Sequence, residues 1–124
     1  MRLLLDTQIL IWWFFGDPRL RADTQALMAS HPCLLSVASI WEVAIKHRLG
    51  KLPIDPLTFR DQAVAAGVQV LAITEAHAIA TTELPGLHQD PFDRLLIAQA
   101  RLEGLMAVSA DLHWRRYELL LHQA

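Results

Sequence analysis

Short apolar runs alternate with stretches of helical periodicity along nearly the whole chain, and turn residues mark the changes. Arg2–Leu5 is an apolar run ending at Asp6 and reads as a buried parallel strand. Thr7–Phe15 has helical character and closes at Gly16. Asp17-Pro18 predicts the start of a second helix, running to Ser30, because Asp caps and Pro needs no N–H at the first helical position. Cys33–Ser36 is a second strand, followed at once by a helix that Gly50 stops. Asp55-Pro56 opens another helix, which ends near Ala66 with Gly67 just beyond it. Val68–Ile73 is a third strand, and Thr74 caps a helix running to about Glu83. After a loop at Leu84–Gln89 comes a helix over Pro91–Glu103, stopped by Gly104. Leu105–Ser109 is a fourth strand, Leu112–Tyr117 a short helix, and Leu119–Leu121 a last edge strand. Strands alternating with helices predict an α/β fold: one three-layer domain over residues 1–124, with a central parallel sheet, right-handed crossovers and helices on both faces.

The stretch Asp90–Ala100 breaks the apolar rule. Asp93, Leu96, Ile97 and Ala100 are spaced for one helix face, so an acid shares the stripe that the apolar side chains bury. No Lys or Arg shares it. Two readings stay open for these residues alone: a capping box, with Asp90 as cap and Asp93 reaching back, or a metal or catalytic role.

The other acids bear on that choice. In open parallel sheets, ligands bind beyond the carboxyl ends of the strands. Asp6 ends the first strand, and Asp111 lies two residues past the fourth. Glu42 sits in the second turn of the helix leaving the second strand, and Asp93 opens the helix feeding the fourth. All four are expected at one edge of the sheet. Each has a plainer reading: Asp6 and Asp111 as helix caps, and Ser39 with Glu42 as a capping box if that helix starts late. A start at Ser36 would carry Glu42 past the cap. Clustered carboxylates repel, at a cost of several kcal/mol in low dielectric unless protons or cations intervene. Hard oxygen donors suit Mg²⁺, or Mn²⁺, which keep water for reaction. Thr7 and Ser109 could orient the carboxylates or the water.

Size and charge narrow the classes. A chain of 124 residues can bury about two thirds of its unfolded surface. The apolar run from Leu3 to Phe15 is interrupted by Asp6 and Gln8 with no small-residue cleavage site after it, so it does not read as a signal peptide. No run approaches the ~20 apolar residues of a membrane span. A lone Cys33 excludes a disulfide framework and fits a cytoplasmic protein. Setting four of the thirteen acids aside leaves nine against eleven basic residues, so the formal charge of −2 hides a slightly cationic remainder. An anionic substrate is permitted, not demanded.

Four segments resemble the motifs of PIN-domain proteins, and more narrowly of VapC-type toxins: Leu-Leu-Leu-Asp-Thr at 3–7, Ser-Val-Ala-Ser-Ile-Trp-Glu at 36–42, Asp-Pro-Phe-Asp-Arg-Leu-Leu-Ile-Ala-Gln-Ala at 90–100, and Ser-Ala-Asp-Leu-His-Trp at 109–114. The resemblance covers nearly the whole chain. It implies a five-stranded parallel sheet, a Mg²⁺-dependent ribonuclease centre cutting RNA with metal-activated water, homodimerisation, and inhibition by a small VapB-type antitoxin. It places the acids of the centre on Asp6, Glu42, Asp93 and Asp111, with Asp90 as an additional acid of the subgroup. Gln8 departs from the His, Asn or Ser more usual there. The alternative is a catalytically inactive PIN-like binding module. A phosphoacceptor receiver domain fits poorly, because the third strand ends Ala72-Ile73-Thr74 where an acceptor Asp is needed. An Asp-x-Asp phosphatase is disfavoured by Gln8.

Other residues are weighed more briefly. Trp12, Trp13, Phe14 and Phe15 are consecutive, so one helix face cannot bury them all; at least one is expected to meet solvent or a partner. Trp41 is expected in the core or in a groove wall. The six histidines show no zinc spacing, and His88 is the one placed to approach the site from its loop. Arg94 is expected to point away from the buried stripe, toward a phosphate backbone. Lys46, Arg48, Lys51, Arg115 and Arg116 are candidate phosphate contacts or plain solvated charges.

Overall fold

A computed structural model describes residues 1–86 and 90–124. Five short strands form one parallel sheet: β1 (Leu3–Leu5), β2 (Cys33–Ser36), β3 (Gln69–Leu71), β4 (Met106–Ser109) and β5 (Leu121–Gln123), in the order β3-β2-β1-β4-β5. Six helices connect them: α1 (Thr7–Phe14), α2 (Ala22–Ser30), α3 (Val37–Arg48), α4 (Pro56–Ala65), α5 (Glu75–Ala80) and α6 (Pro91–Glu103). The expected α/β layering is present.

The alternation of β1 explains the layers. Leu3 and Leu5 pack on one face with Ile9 and Leu10 of α1, Val43 of α3, and Phe59 and Ala63 of α4. Leu4 packs on the other with Leu96, Ile97 and Ala100 of α6 and with Trp114. Each of these three leucines is at most 1% exposed, so burial contributes about 2 kcal/mol apiece to holding β1 at the centre of the sheet. Asp6, the next residue, is thereby fixed at the carboxyl end of the central strand.

Several boundaries differ from expectation, each with a local cause. Asp17-Pro18 does not open α2, which starts at Ala22. The Asp17 carboxylate accepts from the Arg19 N–H at 2.9 Å and the Arg19 guanidinium at 2.7 Å, a side-chain-to-backbone bond that competes with helix. β3 is shorter than Val68–Ile73, being an edge strand with one neighbour. The helix capped by Thr74 ends at Ala80, and Thr81–Glu83 tightens into a 3₁₀ turn. Leu112–Arg116 is likewise a 3₁₀ helix. The last strand lies two residues later than Leu119–Leu121: Leu119 packs into the core with Tyr117, while Ala124 N donates to Ser109 O at 2.8 Å and sets the register. Among the described residues, no helix is long and apolar enough to cross a membrane.

Candidate active site

The strand order reverses at the β1–β4 pair, since β2 and β3 extend to one side of it and β5 to the other. Side chains beyond the carboxyl ends of these two strands therefore face a crevice that no crossover fills. A cavity of about 370 Å³ opens there. Asp6, Glu42, Asp90, Asp93 and Asp111 all line it, with Thr7, Gln8, Ile11, Trp12, Lys46 and Ala110. The four acids expected at one edge of the sheet are together, and Asp90 is with them.

The capping alternatives separate residue by residue. Asp6 occupies the N-cap position of α1 but makes no side-chain capping bond; its Oδ2 accepts from Ser109 Oγ at 2.8 Å. Ser109 Oγ in turn accepts from the Asp111 N–H at 3.1 Å, so one hydroxyl joins the ends of β1 and β4. Ser36 caps α3, accepting from Ala38 N at 3.0 Å, which puts Glu42 two turns inside the helix and past any capping box. Glu42 Oε1 accepts from Thr7 Oγ1 at 2.8 Å, and its Oε2 meets Lys46 Nζ at 2.7 Å. Thr7 also lies 2.8 Å from Ser39 Oγ. Asp90 is the cap of α6, accepting from the N–H groups of Phe92 at 2.8 Å and Asp93 at 3.3 Å. That leaves Asp93 one turn inside, in the cavity wall. Asp111 does both jobs: it lines the cavity, and its Oδ1 caps the 3₁₀ helix through the His113 N–H at 2.9 Å.

Burial and like charge show in the proton affinities. Burial pushes the Asp93 carboxyl up to about 8, with the charges of Asp6, Asp90, Glu42 and Asp111 adding to it. Asp6 rises to about 6, again chiefly through burial, with Glu42 and Asp111 adding and the Ser109 hydrogen bond opposing. Two carboxyls raised this far above their ordinary value mark a site with more negative charge than its surroundings solvate. Among the described residues, no group of three or more His, Cys, Asp or Glu side chains stands close enough to hold an ion by itself. Mg²⁺ does not require one: it keeps several waters and is bound through one or two carboxylates. The all-oxygen donor set, the crowding of acids and the open cavity fit such a hydrated cation.

Other candidates fall elsewhere. Arg94 does point away from the buried stripe, but its guanidinium donates to the carbonyls of Thr81 at 2.7 Å, Pro85 at 2.8 Å and Leu84 at 3.2 Å. It ties the loop after α5 to α6. Arg115 donates to Gln123 Oε1 at 3.0 Å, bracing β5. His88 lies outside the described residues. Cys33 is buried and free. Trp41 is not core: it is 59% exposed and meets Phe92 edge-on at 5.2 Å between ring centroids. Of the aromatic run, Phe15 is the exposed member, while Trp12 turns into the cavity wall under the Arg19 guanidinium, 4.9 Å from the ring centroid. Sequence reasoning gave Trp12 and Ile11 no part in the site. Their three- and four-residue spacing from Gln8, just after Asp6, is the signal that places them on that side of α1.

The PIN domain family model matches residues 3–120. No curated protein matches in sequence. Among solved structures, the chain is similar to VapBC2 of Rickettsia felis bound to a promoter DNA fragment, with TM-score 0.74 and 17% identity, covering 98% of both chains. It is also similar to DNA-bound VapBC of Salmonella typhimurium, with TM-score 0.71 and 18% identity, over 98% of this chain and 97% of that one. A third is VapC20 of Mycobacterium tuberculosis, a toxin that cleaves the sarcin-ricin loop, with TM-score 0.68 and 17% identity over 98% of both chains.

Proposed function

The chain belongs to the PIN-domain family, and we propose that it is a divalent-cation-dependent endoribonuclease acting as the toxin of a VapBC-type pair. The observation that carries this reading is the meeting of Asp6, Glu42, Asp93 and Asp111 around one cavity at the switch point of the sheet. Asp6 and Asp93 would hold Mg²⁺ or Mn²⁺, with Glu42 and Asp111 flanking. When bound, the cation supplies positive charge against the phosphodiester and a more acidic water.

The chain's own residues do the rest. Ser109 aims Asp6, and Thr7 aims Glu42, so two hydroxyls fix the carboxylates that must not swing. Asp93 carries a proton near neutrality, so occupation of the site releases it, and proton and cation compete there. In-line attack by water on the phosphorus, with departure of the 3′-oxygen, leaves a 5′-phosphate and a 3′-hydroxyl. The similarity to complexes of Rickettsia felis and Salmonella typhimurium supports a VapB-type antitoxin as partner. Val37, Trp41, Ile45 and Leu49, exposed at four-residue intervals along and just after α3, offer an apolar ridge for such a partner or for a homodimer.

The test is incubation of the purified protein, free of antitoxin, with total RNA in millimolar Mg²⁺ and in EDTA. Cleavage in Mg²⁺ alone, lost in Asp93→Asn with helix content retained, is the expected result. Equal cleavage by the variant, or none by the wild type, overturns the reading and leaves a binding module.

A further inference from the structure

Lys46 is the one cationic side chain among the described residues lining the acidic cavity. By spacing alone it forms an ordinary i,i+4 pair with Glu42 on α3, of a kind that contributes little on an open surface. The surroundings are not those of an open surface. Glu42 is 7% exposed, with its other oxygen held by Thr7, so the lysine is tethered to a fixed carboxylate. Lys46 lines the same cavity as Asp90 and Asp93, whose charges favour its protonated form.

An anionic strand approaching five carboxylates needs positive charge on more than one side. A cation between Asp6 and Asp93 would sit by β1 and α6; Lys46 stands on the α3 side. Its bond to Glu42 uses one of three N–H groups, and a flexible four-carbon stem carries a compact charge suited to phosphate.

We propose that Lys46, anchored by Glu42, is a substrate-binding residue that receives a backbone phosphate of single-stranded RNA beside the scissile bond. This rests on the nuclease reading above. Arg94, Arg115 and Arg19 are spent on loop carbonyls, Gln123 and Asp17, and among the described residues Lys46 is the cation that lines the cavity.

The experiment measures binding of a fluorescent single-stranded RNA of about ten nucleotides, a length within the reach of a small domain, by anisotropy over a range of salt. Asp93→Asn protein is used, so that the probe survives, with and without Lys46→Ala or Lys46→Arg. Lys46→Ala is expected to weaken binding several-fold at low salt and to lower the salt slope by about 0.7, the value for one lost phosphate contact on a single strand; Lys46→Arg retains both. In the Asp93-intact protein, Lys46→Ala should raise KM for cleavage of the same RNA more than it lowers kcat. Circular dichroism checks that the half-exposed substitution leaves the fold unchanged. If Lys46→Ala keeps the affinity and slope while wild-type protein cleaves the probe, this inference falls and the nuclease reading stands. If wild-type protein neither binds nor cleaves RNA, both fall.

Discussion

Two cavities of nearly equal size lie at opposite ends of the strands. One, of about 390 Å³, sits beside the amino ends of β2 and β3, lined by Trp13, Met28, His31, Cys33 and Val68 among others. The other, of about 370 Å³, sits beyond the carboxyl ends of β1 and β4 and carries five carboxylates. Volume does not distinguish them; topology and charge do. At the amino ends, helices arrive by their carboxyl termini and the lining carries no Asp, Glu, Lys or Arg. At the carboxyl ends, α1, α3 and the 3₁₀ helix start, and strand order reverses, so short acidic side chains are brought together from segments distant in sequence. Among the described residues, carboxylates concentrate at the second end and not at the first.

The largest expected effect breaks the comparison at its acidic end. Asp93→Asn should lower RNA cleavage by more than about a hundredfold, since even residues that merely support a metal ligand cost up to that much. Rates on total RNA in Mg²⁺ check it. Next come the supporting hydroxyls: Ser109→Ala and Thr7→Val should each cost about ten- to a hundredfold with Asp6 and Glu42 still in place, measured the same way.

A smaller effect concerns stability without divalent cations. Asp93 titrates at about 8 when folded, against an ordinary value of 3.8, so the folded state holds the extra proton across that interval. Asp6 does the same up to about 6. Their contribution is fully present below about pH 4 and is lost as pH rises through about 6 and then about 8. Thermal melts in EDTA should fall over that window. At pH 8, Asp93→Asn should melt above wild type, by about 1 kcal/mol, because the amide removes a charge from a repelling cluster. A variant melting below wild type under those conditions would show that the acids do not strain the fold. A comparable change in stability, with no change in activity, belongs to the other cavity: Cys33→Ala should cost about 1 kcal/mol and leave cleavage unchanged.

Periodicity and punctuation made the layered sheet legible, because β1, β2 and β4 are buried apolar runs, each followed at once or within two residues by a helix start. Asp6, Glu42, Asp93 and Asp111 were legible for the same reason: each has a fixed offset from a strand end or helix start. What escaped was set by side chains meeting across elements. Asp17 bonding to Arg19 delayed α2, and the pull of β4 on Ala124 moved β5 two residues along, to start at Leu121. Trp41 looked like core because its neighbours are apolar, yet its helix turns it outward beside Phe92. Arg94 looked free for phosphate until three loop carbonyls claimed it. Lys46 gained meaning only once Asp90 and Asp93 were seen to line the same cavity.

The proposal that the rim carboxylates form one site for a divalent cation can be tested without any RNA. Its most direct measurement is the thermal shift of the wild-type protein and of the Asp6→Asn, Asp93→Asn double variant at pH 8 as Mg²⁺ is raised. At ten times the dissociation constant, wild type should gain about 1.4 kcal/mol, with a visibly higher Tm, while the double variant stays where it was. A wild-type protein indifferent to Mg²⁺, or a double variant that responds equally, would contradict the account.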